Sequence, residues 1–239
     1  MREIVDMHCH LLHGCDDGST SLALSLEMLR AQAEQGVTTV CITPHFYSRQ
    51  TSVEDFCARR DPRLRELVQA MPDGMPRLVP GAEVAYFPLL CEEPRLMRLC
   101  LLGTRTLMLE MPFGEWQDTQ VETVQTLSLD LGLDVVLVHP ERFCFSSGNR
   151  RRLGQLMRLP VGIQVNADSL LHLRGRRLAL ELLEQAAFPL LASDCHDMAG
   201  RPPQLREGRQ MVKRSFGAAF LDRMDDTAAR LVEPCFGAP

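Results

Sequence analysis

His8 and His10 stand one residue apart in the run DMHCHLLHGCDDG, residues 6–18, which also carries the acidic pair Asp16 and Asp17. Further along, His45 ends TTVCITPH, Glu83 lies in RLVPGAEVAYF, Glu110 in TLMLEMP, His139 in DVVLVHPE, and Asp194 and His196 in PLLASDCH. Imidazole and carboxylate suit Zn, Fe or Mn, and the lack of a thiolate cluster argues against a structural zinc. A carboxylate can bridge two ions where an imidazole cannot, so Glu83 and Glu110 point to a polynuclear centre. With one aspartate of the DDG pair there are nine candidates, too many for one ion, and two to three divalent ions are implied. Such a centre activates water and clamps the attacking and leaving oxygens of phosphoryl transfer. Arg142 in HPER and Arg201 after SDCHDMAG are suited to bidentate phosphate binding, with Glu141 a candidate partner for either guanidinium.

The elements that must position these groups are short β-rich runs alternating with helical patterns. Strands are expected at IVDMHCHL, TTVCITPH, RLVPGAEVAYF, TLMLEMP, DVVLVHPE, VGIQVNA and PLLASDCH, with helices at 21–36, 52–70, 117–132, 151–159, 174–187 and 202–217. About seven strands in this alternation predict an α/β fold, a TIM-like (β/α)7 barrel with one unit fewer than usual, as a single domain over residues 1–239. Five of the seven histidines and three carboxylates then fall at strand C-terminal ends, the active-site face of such a barrel. Strand alternation puts His8 and His10 on one face, turns Cys9 away, and sets Asp6 one step deeper as an acceptor for an imidazole N–H. His13 lies off the strand and His172 in a helical pattern, so neither is read as a ligand.

A net charge of -5 offers no basic stripe for a nucleic acid. No apolar stretch approaches the roughly 20 residues of a spanning helix, and no signal-peptide pattern precedes the first strand, so a cytoplasmic protein without membrane insertion is expected. Nine cysteines without CxxC pairs read as reduced thiols. Helix-face contacts between barrels would allow a homo-oligomer.

HCH plus DDG, then ITPH, PGAEV, LEMP, VHPER and SDCH followed by RPP, resemble in order and spacing the PHP superfamily (polymerase and histidinol phosphatase), and within it the bacterial tyrosine-protein phosphatases of the CpsB/CapC type. The resemblance runs from residue 4 to about residue 203. It implies a PHP barrel with a trinuclear site: His8, His10, Glu83 and Asp194 on one ion, Glu83, Glu110 and His139 on a second, and Asp17, His45 and His196 on a third. Asp17 rather than Asp16 aligns with the ligand position, and Arg142 and Arg201 match positions that bind the phosphate. The implied activity is hydrolysis of phosphotyrosine by a metal-bridging hydroxide, without a phosphoenzyme, on the tails of bacterial tyrosine kinases that govern capsule or exopolysaccharide assembly. Phe46, Met111, Cys195 and Asp197 depart from the usual family residues without removing a ligand.

Three rivals compete with that expectation. The C-x5-R string of cysteine-dependent phosphatases occurs from Cys57, Cys144 and Cys195, but Arg is abundant enough to supply such matches by chance, and the most tempting, CFSSGNR from Cys144, is preceded by Phe143 rather than His. A phosphatase of a small ester such as histidinol phosphate would use the same metal ligands. A non-catalytic metal-binding interaction subunit would not need the full set.

Overall fold

Nine strands and eight α-helices alternate along the described residues, 2–144 and 146–235, of the computed structural model. The strands are β1 (Val5–Cys9), β2 (Thr39–Ile42), β3 (His45–Phe46), β4 (Arg77–Pro80), β5 (Glu83–Ala85), β6 (Thr106–Glu110), β7 (Asp134–Val138), β8 (Gly162–Asn166) and β9 (Phe188–Ala192). The helices are α1 (Leu22–Glu34), α2 (Val53–Ala70), α3 (Asp118–Gln125), α4 (Ser147–Leu156), α5 (Ala167–Leu171), α6 (Leu173–Gln185), α7 (Leu205–Phe216) and α8 (Ala218–Leu231). The result is a mixed α/β fold in which every strand pair is parallel, in sheets ordered β1-β2-β4 and β3-β5-β6-β7-β8-β9.

Two expected strands are each split, TTVCITPH into β2 and β3 and RLVPGAEVAYF into β4 and β5. Pro44 has no N–H to continue a ladder, yet its carbonyl accepts from Glu83 N while Gly81 N reaches Ile42 O, so the pieces stay aligned. The C-terminal end of β1 is joined to the segment after β9 by Asp194 N→His8 O and His10 N→Cys195 O, both 2.9 Å.

The first helix shows how local sequence sets an element. Ser21 Oγ accepts from Leu24 N at 3.2 Å, and the buried residues Ser25, Met28, Leu29 and Gln32 follow the i, i+3, i+4, i+7 spacing of one helical face. The 117–132 pattern yields α3 followed by a π turn over Thr126–Asp130. Helix α8 was not expected from the sequence. Its Ala228 and Leu231, with Val232, join an apolar cluster formed by Val5, Met7, Cys41, Val79, Met108, Val136, Val138, Leu190 and Ala192. Alternate residues of the same strands, including Val40, Ile42, Leu107, Leu109, Leu137 and Ile163, pack with the helices in a second cluster.

That alternation aims the site. His45 continues the parity of Cys41, Glu83 that of Val79, Glu110 that of Met108, and Asp194 that of Leu190 and Ala192. Parity breaks at two places, each with a visible cause. In β1, Val5 and Met7 join the strand-lined cluster, but the register against β2 slips between Asp6 and Cys9, so His8 and His10 take over that face. His139 would point toward the helices after Val138, but its left-handed backbone (φ 32, ψ 51) redirects it. Asp194 also has a positive φ, 51. Such conformations cost a non-glycine residue about 1 kcal/mol or more and recur at functional sites.

Candidate metal centre

Every one of the nine expected ligands lies in the mouth formed by the strand ends. Ligand atoms within 4.8 Å of one another define overlapping groups: His8, His10 and Asp194; His8, Glu83 and His139; His45, Glu83 and Glu110; and His10, Asp17, His45 and His196. Glu110 thus gathers with His45 and Glu83, and His139 with His8 and Glu83. Glu83 is the hub. Its Oε1 takes a hydrogen bond from His139 Nε2 at 2.7 Å, and its Oε2 lies 3.2 Å from His8 Nε2, 3.2 Å from His10 Nε2 and 2.7 Å from His45 Nδ1.

The two aspartates of DDG divide the work. Asp16 Oδ2 is 2.7 Å from His10 Nδ1 and accepts His45 N at 2.9 Å, while Oδ1 accepts Gly18 N at 3.0 Å. Asp16 therefore orients His10, so that His10 Nε2 faces the centre. Asp17 Oδ1 lies 3.4 Å from His45 Nε2 and 3.7 Å from His196 Nε2, in the ligand cluster. Glycine is required at 18, because a Cβ there would collide with the His10 carbonyl.

Charge in the cluster follows from burial and crowding. Glu83 stays well below the usual carboxylate range although burial opposes it, because His8 and the other imidazoles surround it. Asp194 is lowered in the same way, and Asp16 to about 2, both against the penalty of burial. Burial, helped by the Glu83 charge, pushes Glu110 up to about 7. Burial and the neighbouring His10 hold His196 near 4.

The buried atoms Glu83 Oε2, Asp194 Oδ1 and His196 Nε2 make no hydrogen bond. Orphaned acceptors facing imidazole nitrogens, two of which (His8 Nε2 and His10 Nε2) are 2.9 Å apart, are what a cation in the middle would satisfy. The residues fit divalent ions.

Two sequence expectations need correction. Asp6 does not reach an imidazole: its Oδ1 accepts Ser193 N at 2.8 Å and its Oδ2 accepts Ser193 Oγ at 2.5 Å. The slip in β1 puts Asp6 with Cys9 and Cys195, whose sulfurs are 3.2 Å apart and turned toward Gln32. Glu141 pairs with neither arginine. Buried in a tight turn over Pro140–Arg142, it accepts Asn166 N at 2.8 Å, while Arg142 Nη1 and Arg201 Nη2 both reach Asp194 Oδ2, at 3.5 and 2.6 Å.

The acceptor for His8 comes instead from β8. Gln164 Oε1 is 3.0 Å from His8 Nδ1, Gln164 Nε2 donates to Asn166 Oδ1 at 2.8 Å, and Asn166 Nδ2 donates to Asp194 Oδ2 at 2.6 Å. Two polar residues at i, i+2 in the apolar run VGIQVNA were the overlooked signal, the same spacing as the histidine pair. Gln164→Ala should weaken metal binding about 10- to 100-fold, measured by competition with a chromogenic chelator. Unchanged affinity would exclude an orienting role for Gln164.

Glu141 also sets a pH dependence. Burial pushes its carboxyl from 4.5 up to about 7. The folded protein therefore keeps a proton that the unfolded chain loses above about 4.5, and stability falls as pH rises from there through about 7. The loss amounts to roughly 3 kcal/mol. In metal-free protein, urea unfolding of Glu141→Gln should show a flatter profile between pH 5 and about 8; a slope equal to that of the wild type would contradict it.

The remaining histidines stand apart: His13 is 3.0 Å from Glu66 and His172 is 2.8 Å from Asp168. Cys144 is buried, and burial raises its thiol to about 12, the reverse of an activated nucleophile.

The family model described as capsular polysaccharide synthesis, CpsB/CapC, matches residues 4–232. Among curated proteins, the tyrosine-protein phosphatase YwqE of Bacillus subtilis is 27% identical over 236 residues, covering 96% of this chain and 91% of its own length. The tyrosine-protein phosphatase CpsB of Streptococcus agalactiae is 24% identical over 225 residues, covering 90% and 91%. A crystal structure from work on YwqE of Bacillus subtilis and CpsB of Streptococcus pneumoniae, described as unique metal-dependent tyrosine phosphatases, superposes with a TM-score of 0.81 at 25% identity, covering 96% of this chain and 94% of that one.

Proposed function

Because this chain belongs to the CpsB/CapC family of capsular polysaccharide synthesis, we propose that it is a cytoplasmic, metal-dependent phosphomonoesterase that hydrolyses phosphotyrosine on protein, with the tail of a bacterial tyrosine kinase as substrate and capsule or exopolysaccharide synthesis as the process controlled. The observation that carries this reading is the convergence of nine imidazole and carboxylate donors beside two arginines that share Asp194. Relatives named tyrosine-protein phosphatases support the choice of ester.

His8, His10, Asp17, His45, Glu83, Glu110, His139, Asp194 and His196 would hold two to three divalent ions (Mn, Fe or Zn), which when bound supply Lewis acidity that activates water and neutralises phosphoryl oxygens. Arg142 and Arg201 line a cavity of about 400 Å³ beside Asp194 and are partly exposed, so each retains N–H groups for a phosphate. Their anchorage on Asp194 fixes them before substrate arrives, and donors aimed at developing charge in this way cost no reorganisation during reaction. Asn166 shares the same carboxylate oxygen and steadies it. Phenolate leaves readily, so no strong acid is required of the protein. The hydrogen bonds between β1 and the segment after β9 support a closed (β/α)7 barrel, with β2 and β3 and likewise β4 and β5 each counting as one strand.

The test is hydrolysis of a phosphotyrosyl peptide, histidinol phosphate and a nucleotide, each with and without chelator. The phosphotyrosyl peptide should be the best substrate and chelation should abolish turnover. Preference for histidinol phosphate would overturn the substrate assignment.

A further inference from the structure

Among the described residues, Phe113 is the most exposed aromatic side chain near the centre, at 69% of its surface, yet it is held in place. Its ring meets buried Phe143 edge-on, with centroids 4.7 Å apart at 87°, and Phe143 in turn lies 5.4 Å from the His139 ring. The Arg142 guanidinium sits 5.9 Å from the Phe113 centroid while also reaching Asp194. An apolar ring is thus left facing water at a fixed offset from an arginine of the phosphate site. Pro112, the preceding residue, lines a cavity of about 430 Å³ together with Tyr47, Tyr86 and Phe87, and Tyr47 stacks on His45 with centroids 5.2 Å apart. The aromatic walls therefore flank the centre on the Glu110 side.

We propose that Phe113 is a specificity-determining residue, the wall that receives the ring of an aryl phosphate held by Arg142 and Arg201, so that esters of phenols are favoured over esters of aliphatic alcohols. The inference rests on the phosphatase reading above. A phenyl phosphate extends rigidly from its phosphorus, so one held by Arg142 would carry its ring past the guanidinium toward Phe113, 5.9 Å away. A phosphoserine arm carries no ring and gains nothing there. Aromatic pairs add about 0.5–1.5 kcal/mol beyond simple burial.

Phe113→Ala should raise KM for a phosphotyrosyl peptide about tenfold, with kcat little changed. Competitive inhibition by inorganic phosphate, which has no ring, should stay within about twofold of the wild type. Phe113→Tyr should restore KM. An unchanged KM overturns the proposal, and so does an equal weakening of inorganic phosphate, which would mean that the ring only steadies Arg142. A wild type that binds metal but hydrolyses no phosphotyrosyl peptide would overturn the phosphatase reading and this inference with it, a result separate from either Phe113 outcome.

Discussion

Glu83→Gln is expected to lower kcat on a phosphotyrosyl peptide by on the order of a thousandfold, about 4 kcal/mol of lost transition-state stabilisation. The amide keeps the shape of the side chain and removes its charge. Four imidazoles approach this one carboxylate at 2.7–3.2 Å, and it belongs to two of the groups that could hold an ion, so its loss would disturb both. An amide NH2 would also turn donors toward the nitrogens of His8 and His10. Metal content of the purified variant should fall in parallel with activity. Chelation of the wild type should reproduce the defect, while Cys144→Ser should retain full turnover. Activity that survives chelation but disappears with Cys144→Ser would sink the metal reading and revive a cysteine nucleophile.

Arg201→Ala should cost about 10²–10³ in kcat/KM, the scale seen when one preorganised donor to developing negative charge is removed. The loop that carries it should survive, because its shape depends on backbone and on another side chain. His196 N donates to the Arg201 carbonyl at 3.0 Å, and Asp197 Oδ1 accepts from Ala199 N, Gly200 N and Arg201 N. Metal content should therefore stay at the wild-type level. Arg201→Lys should recover only part of the loss, since an ammonium cannot match a phosphate with a planar fork. Metal loss equal to the activity loss would show instead that the guanidinium only holds Asp194.

Much of the candidate donor cluster was legible because strands are buried on both faces in a parallel α/β fold, and a His, Glu or Asp at the end of an apolar run is conspicuous there. His45, Glu83, Glu110 and Asp194 follow the two-residue parity of their strands, which sequence alone displays. Helix α8 follows the last site-bearing strand and carries none of the candidate donors, and its role as a cover for the strand-lined cluster depends on Val5 and Met7, more than two hundred residues earlier. Glu141 was misread for a related reason: adjacency to Arg142 in sequence says nothing about which side of a tight turn each occupies.

The sequence by itself determined which donors gather and in what order, since alternation and the alignment of βα units send strand ends to one face. It also separated Cys9 from its flanking histidines. Only the tertiary structure decided how the donors are aimed. The slip in β1 moved Asp6 from an imidazole to Ser193, the left-handed turn at His139 brought that ring inward, and Gln164 and Asn166 joined His8 to Asp194. Each of these is a contact or a backbone state set by strands far apart in the chain. Local periodicity carries no record of them, because they exist only when the strands are packed side by side.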